Sequence, residues 1–230
     1  MNVFGLFVKQ PIPGRVKTRL AADLGAERAA ELYAAFTADL VDRFRTIADR
    51  RVLGFAPDDT TAREHFGHVA QSDFVLWPQP DVSLGERMQA FFESQFTAGA
   101  ERVVLIGSDS PSLPVAIVEE AFARLTETDV VLGPATDGGY YLVGQSKTCH
   151  ALFEEIDWSK SAVLSQTVQR VTACNATLSL LTPWYDIDTT DDLAMLQGHL
   201  AAMEQAGMVV DLPNVIRELK TNRQGGRSSR

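Results

Sequence analysis

Cysteine is nearly absent from this sequence: two residues in 230, Cys149 and Cys174. They form no C-x-x-C pair and no zinc spacing, so a thiolate metal module is excluded and a reducing compartment is the simple expectation. Positive charge is also scarce. Lys and Arg number 21 against 30 Asp and Glu, a formal net charge of −9. Affinity for a nucleic-acid backbone rests on clustered Lys and Arg, so no nucleic-acid partner is expected. A nucleotide is a smaller polyanion, which a few local cations and a metal can hold. No apolar run reaches membrane-spanning length. The apolar start, residues 1–8, is too short for a signal sequence and no basic segment precedes it. The expected location is the cytoplasm, with no membrane span. Internal repeats and clear linkers are lacking as well. What remains is ordinary for a soluble domain, at 45% hydrophobic and 22% charged residues. A chain of this length can bury one substantial core.

The hydrophobic pattern alternates between strands and helices. Residues 3–8 read as a buried strand, followed by a Pro/Gly loop. Leu32, Phe36, Leu40 and Phe44 recur every four residues and predict an amphipathic helix over about 26–49. Short apolar runs at 52–56, 74–77, 103–106, 130–132, 140–143 and 178–181 predict further strands. Ser83 and Glu86 have capping-box spacing and open a helix over about 84–97. Pro114 suits a first helical turn, and further helices are expected over 161–173 and from about 190. Such alternation implies a three-layer α/β fold on a mostly parallel sheet. We expect one domain over residues 1–220. The Gly/Ser/Arg-rich stretch 221–230 is expected to be a disordered tail.

Four segments carry the chemistry. The first joins Lys9, Gly14, Arg15, Lys17 and Arg19 directly after the first strand, where open α/β sheets place ligands. Gly14 would admit a phosphate to the backbone, and the cations would neutralise it. Val16 stands where a Walker loop needs glycine, so this is not that motif. In the second segment, Gly107 leaves room for a ligand and the strand delivers Asp109 to the same edge. Magnesium takes one or two protein carboxylates and completes its shell with phosphate and water. The alternative is a turn whose Asp and Ser side chains bond their own backbone. The third segment, Asp137, Gly138, Gly139 and Tyr140, reads either as an Asp-Gly hairpin turn or as an acceptor-binding surface. In the fourth, an extended 186–188 would put Asp186 and Asp188 on one face. With Asp109 they would form a site for Mg2+ or Mn2+, whereas Asp191 and Asp192 suit a helix start. Arg87 is a further nucleotide-binding candidate. Tyr140, Tyr141, Trp158 and Trp184 would line an acceptor pocket if they face the cleft.

Taken together, the motifs Lys9-x-Pro-x-Pro-Gly-x-Val-Lys-Thr-Arg-Leu20, Gly107-Ser-Asp-Ser-Pro111, Gly133-Pro-Ala-x-Asp-Gly-Gly-Tyr-Tyr-Leu142 and Asp186-Ile-Asp-Thr-x-x-Asp-Leu193 resemble a bacterial family of glycosyltransferase-A-like, nucleotide-diphospho-sugar transferase-like proteins. The resemblance runs from residue 3 to about 200. It implies a Rossmann-like nucleotide-binding fold with a mixed sheet. The layout is similar to that of 2-phospho-lactate guanylyltransferases, molybdenum-cofactor guanylyltransferases and sugar-acid cytidylyltransferases. By that resemblance the Lys/Arg loop holds phosphates, Asp109 holds the metal and Asp188 adds a second ligand. Many metal-dependent glycosyltransferases of this fold carry Asp-x-Asp mid-chain. Here the position reads Ser108-Asp109-Ser110, closer to nucleotidyltransferases, although their glycine-rich opening is incomplete.

Three functions follow as expectations. The first is nucleotidyl transfer from a nucleoside triphosphate to a small phosphorylated acceptor, with Lys17, Asp109 and Asp137 as catalytic residues. The second is glycosyl transfer from a nucleotide-sugar. The third is a non-catalytic nucleotide-binding module.

Overall fold

The computed structural model describes the backbone of residues 1–225. Its elements in chain order are β1 (Asn2–Lys9), α1 (Thr18–Leu24), α2 (Ala26–Phe44), β2 (Arg50–Ala56), α3 (Thr60–Ala70), β3 (Val75–Pro78), α4 (Leu84–Thr97) and β4 (Arg102–Ile106). There follow α5 (Val115–Arg124), β5 (Val130–Pro134), β6 (Tyr140–Gln145), a 3-10 turn (His150–Phe153), α6 (Val163–Ala173), β7 (Leu178–Leu180), α7 (Thr190–Gln205) and α8 (Pro213–Gly225). The sheet has seven strands in the order β3-β2-β1-β4-β6-β5-β7. β6 runs antiparallel to both its neighbours, and the other pairings are parallel. This is the mixed, mostly parallel sheet expected from the sequence.

β1 is a continuous apolar run because both its faces are covered. Phe4, Leu6 and Val8 pack against α2, α3 and α5, together with Leu40, Phe44, Phe66 and Val118. On the other face, Val3 shares a core with Phe91 and Phe92 of α4 and with Val171 of α6. Three layers result. Truncating a fully buried ring such as Phe91 to alanine removes about 3–5 kcal/mol in cores of this kind. α7 and α8 form a third cluster with α1 and α2, through Leu20, Phe36, Leu196 and Val215.

α8 is fastened by Asp39 of α2. Its carboxylate accepts from Asn214 N at 3.0 Å, Asn214 Nδ2 at 2.7 Å and Val215 N at 2.9 Å. These are amide donors that a helix start otherwise leaves unpaired. Arg43, one turn further along α2, donates to the carbonyls of Pro111 at 2.5 Å and Leu113 at 3.2 Å, and also to that of Asp211. It thereby ties the segment after Asp109 to the start of α8. Asp39→Ala should cost about 1–2 kcal/mol, the usual cost of a lost cap. Urea denaturation of the full chain measures this, and an unchanged midpoint would show that α8 does not depend on the cap.

Four differences from the sequence reading have physical causes. α2 ends at Phe44, five residues short of the expected end, and Ile47 reaches the core from the following turn. α3 was not expected. Its capping Asp59 accepts from Ala62 N, but only Ala62, Phe66 and Ala70 are buried, too thin a stripe to stand out. α8 continues to Gly225, so the expected tail boundary at 221 falls inside a helix, and residues 226–230 lie outside the described residues. Finally, Cys149 and Cys174 are paired as a disulfide, with Cα atoms 6.6 Å apart. They lie 25 positions apart in the chain, which linear spacing could not bridge, and free thiols are not what the fold presents.

Candidate active site

The ends of β1 and β4, the start of β6 and the extended segment 184–188 meet at one edge of the sheet. They border a cleft of about 1060 Å³. The segment 184–188 is laid there by backbone bonds. Trp184 N donates to Pro134 O at 3.0 Å, and Ile187 N donates to Asp109 O at 2.8 Å. Asp186 and Asp188 are therefore held beside the loop that carries Asp109.

Lys17 lies at the centre of the charged end. It is the residue before α1 and has a left-handed backbone, φ 48° and ψ 45°. Its side chain is only 2% exposed. Nζ bonds Asp109 Oδ1, and at 3.0 Å it bonds Asp188 Oδ1. Arg19 donates to the other oxygen of Asp188 at 2.6 Å. Burial alone would lower the Lys17 pKa, but the two carboxylates outweigh it and hold the ammonium above its usual value. Behind the pair, the Tyr33 hydroxyl bonds Ser108 Oγ at 2.7 Å and accepts from Lys9 N at 2.9 Å. Burial, and next the Asp109 charge, push the Tyr33 pKa up, so it stays neutral. β1, α2 and the Asp109 loop are thus bolted together under the ionic centre.

Asp186 does not join that centre. It bonds the Ser110 hydroxyl. Burial, assisted by the Asp109 and Asp137 carboxylates, raises its pKa to about 6 against the bond from Ser110. A carboxyl whose folded pKa lies above its unfolded value holds its proton better in the folded state. Its contribution to stability is present below about pH 4 and is lost as pH rises through about 6. Asp186→Asn should therefore be more stable than the parent at pH 8 by up to about 3 kcal/mol, and the gain should shrink at pH 4. Melting curves in EDTA at the two pH values measure this. A gain independent of pH would show that Asp186 is not protonated by its surroundings.

The other end of the cleft is apolar. Tyr140 and Trp158 meet edge to face at 6.4 Å, and Met88 and Leu84 come from α4. Tyr141 also borders the cleft, with its hydroxyl bonded to Thr182 O at 2.7 Å. Trp184 does not. It stacks on Tyr185 at 5.6 Å and donates to Ser112, away from the cleft, so this candidate for the acceptor wall belongs to the core beside α7.

The turn between β5 and β6 combines both readings of its sequence. Asp137 Oδ1 accepts from Gly139 N at 2.9 Å, an Asx-type turn, and Asp137 still borders the cleft with Gly139. Gly138 faces elsewhere. Its φ is +94°, a Cβ there would lie 2.4 Å from Ser161 O, and its carbonyl accepts from Leu164 N at 2.9 Å. Gly138 is a mooring point for the segment leading into α6 rather than a surface toward the cleft. Gly14, with φ +77°, supplies the bend of the basic loop and stands in open solvent outside the cleft lining.

Of the expected nucleotide-binding residues, Lys9, Arg15, Lys17, Arg19, Arg87 and Gly107 border the cleft. Arg87 is held at the rim, donating to Val82 O at 2.7 Å. A Cβ at Gly107 would meet nothing within 4 Å, so its face is open. Sequence reasoning missed Tyr33, Ser110, Arg43 and Gln79. The one legible signal was Ser110, two residues before Ser112 in a Ser-rich run, but its partner lies 76 residues away.

The arrangement fits a small divalent cation in one respect. Asp109 and Asp188 already share one positive charge at Lys17 Nζ, so two carboxylates converge at the cleft edge. Among the described residues, no group of three or more His, Cys, Asp or Glu side chains is disposed to hold a metal. A divalent cation placed there would meet two carboxylates, Asp109 and Asp188, and would need phosphate oxygens and water to complete its shell.

Residues 40–160 match the family described as "Uncharacterized protein conserved in bacteria" (DUF2064). Among solved structures, a protein of Desulfovibrio desulfuricans G20 assigned as a nucleotide-diphospho-sugar transferase is 31% identical, with 97% of each chain covered and a TM-score of 0.86. CMP:2-keto-3-deoxy-manno-octonic acid synthetase, solved with CTP, is 11% identical over 87% of this chain and 98% of the other, with a TM-score of 0.55. The inositol-1-phosphate CTP transferase of T. maritima is 16% identical over 91% and 98%, with a TM-score of 0.53. The last two share the fold. No curated protein matches the chain by sequence. Among the described residues no helix is long and apolar enough to cross a membrane.

Proposed function

Since the chain belongs to the DUF2064 family and has the nucleotide-diphospho-sugar transferase fold, we propose that it is a nucleotidyltransferase acting on a nucleoside triphosphate and a small phosphorylated acceptor. The observation that carries this reading is the convergence of Asp109 and Asp188 on Lys17 beside Arg19, at the carboxyl edge of the sheet. An acceptor phosphate oxygen attacks the α-phosphorus, a new P–O bond forms, and the α–β bridging P–O bond breaks to release pyrophosphate. The protein contributes position and charge. Lys9, Arg15 and Arg19 neutralise the triphosphate. Asp109 and Asp188 would hold Mg2+ or Mn2+, which when bound neutralises phosphate oxygens. Lys17 is desolvated and fully charged, and it sits within reach of both carboxylates and the phosphates they would anchor. Asp137, on the β5–β6 turn close enough to Asp186 to raise its pKa, would orient the acceptor.

Glycosyl transfer from a nucleotide-sugar is the second reading. It is favoured by the name of the 31% identical protein and by the aromatic wall of Tyr140 and Trp158, a surface that suits a sugar ring. The leaving group separates the two. With magnesium and a pooled metabolite extract, the purified protein should release pyrophosphate from a nucleoside triphosphate. Release of a nucleoside diphosphate from a nucleotide-sugar, with no pyrophosphate from any triphosphate, would promote the second reading. A thermal shift with nucleotides but no turnover of either kind would leave a non-catalytic binding module.

A further inference from the structure

Gln79, the residue after β3, has a side chain with only one orientation open to it. It is 6% exposed and borders the cleft. Its Nε2 donates to Gly54 O at 2.7 Å and to Val8 O at 3.3 Å. Both partners are backbone carbonyls, which can only accept. A flipped amide would set its oxygen against two other oxygens, so the flip is forbidden by chemistry rather than by packing. Both amide hydrogens are thereby spent on the sheet. Oε1, on the other branch, receives no hydrogen bond from any described residue. Gln79 N in turn donates to Phe55 O at 2.8 Å, which fixes the backbone as well. The cleft therefore meets a rigid hydrogen-bond acceptor that cannot become a donor, unlike a hydroxyl or a free amide.

Its surroundings suit a base. Gln79 follows β3, three strands from β4, and its amide reaches back to carbonyls of β2 and β1. Lys9 lies between. Phe7 offers a flat apolar surface, kept in place by Trp77 stacked behind it at 6.0 Å and 8°. Aromatic faces accept any base by stacking and do not distinguish among them. Discrimination must come from a polar group, and Gln79 Oε1 is the polar atom whose chemistry is fixed.

We propose that Gln79 sets the base specificity of this cleft, selecting a nucleotide whose base carries an exocyclic amino group over one with no amino hydrogen to give at that position. The proposal rests on the nucleotide reading above. An amino group donates to Oε1. An oxo group in its place puts two acceptors face to face, and the oxygen, shut off from water by the bound base, is left unpaired.

Matched nucleoside triphosphates test it by calorimetric titration of the full chain with magnesium: CTP against UTP, ATP against ITP, and GTP against ITP. Inorganic tripolyphosphate serves as the base-free reference. In at least one pair the amino member should bind about ten- to a hundredfold more tightly. The N,N-dimethylated analogue of the preferred nucleotide should lose that advantage. In Gln79→Met the preference should narrow toward unity, while tripolyphosphate binds as it does to the parent. Equal affinity within every pair, or a preference that survives dimethylation or the Gln79→Met change, overturns the assignment of Gln79 alone. If Gln79→Met does not fold, the dimethylated analogue decides. If tripolyphosphate binds but no nucleoside triphosphate binds better, or if neither binds, the nucleotide reading falls and the base reader with it.

Discussion

Replacement of Lys17 by methionine is expected to weaken nucleoside triphosphate binding about a hundredfold. It should also make the protein more responsive to magnesium alone. The first effect follows from losing a desolvated, charge-assisted donor, worth about 1.5–3 kcal/mol per bond. The second follows from what Lys17 does in the resting structure. Its ammonium stands between Asp109 and Asp188, and its side chain is 2% exposed against their 50% and 27%. Without it, Asp109 faces Asp188 with no cation of its own, and Asp188 keeps only Arg19. The variant should melt lower in EDTA. The loss is smaller than for a fully buried pair, because Asp109 is half in water. Magnesium should then restore more stability to the variant than it gives the parent. Thermal melts of both proteins across a magnesium series, with and without nucleotide, read out both effects. An identical magnesium response would mean that the cation does not go where Lys17 sits.

Asp109→Asn makes the complementary change. It keeps volume and removes one negative charge at a half-exposed position, so the fold should be stable to within about 1 kcal/mol. Asp188 still pairs with Lys17 and Arg19. Pyrophosphate release should fall by about a thousandfold, the scale of removing a group that organises charge in the transition state. The magnesium-dependent part of the nucleotide thermal shift should vanish with it. Normal turnover in a folded variant would remove Asp109 from the centre of the site.

The local parts of this structure were readable and the long-range parts were not. α4 was read to its ends because Ser83 and Glu86 announce the start, and both capping bonds form. β1 was readable because a strand covered on both faces has no polar interruption. The cation loop and Asp109 were placed at the right edge by the rule that strands deliver ligands at their carboxyl ends. The link between them was invisible, since Lys17 is 92 residues from Asp109 and 171 from Asp188. The same holds for Asp39 and α8, and for the two cysteines. Asp186 and Asp188 were assigned to one metal because an extended strand repeats every two residues. The Asp109 loop meets them with different partners, and Ser110 claims one carboxylate while Lys17 claims the other. Gln79 gave no signal because a lone glutamine after a short strand has no characteristic spacing. Its meaning comes only from the carbonyls it happens to meet.

The direction of β6 has a mechanical consequence. In a sheet of parallel strands each ligand loop hangs from its own strand and can drift in length independently of the rest. Here one strand is reversed, so its start lies at the cleft and the β5–β6 turn hangs over the same edge as the cation loop. That turn is bound through Gly138 to the segment entering α6, and that segment carries Trp158 and Val163 along the opposite side. The two sides of the apolar end are thus joined to each other, and Trp184 N on Pro134 O with Thr136 N on Trp184 O ties the same turn to the segment that carries Asp186 and Asp188. Substitutions that tilt or lengthen the turn would therefore disturb the apolar end and the carboxylate segment together. In descent, such a scaffold cannot reshape one end of its cleft without retuning the other.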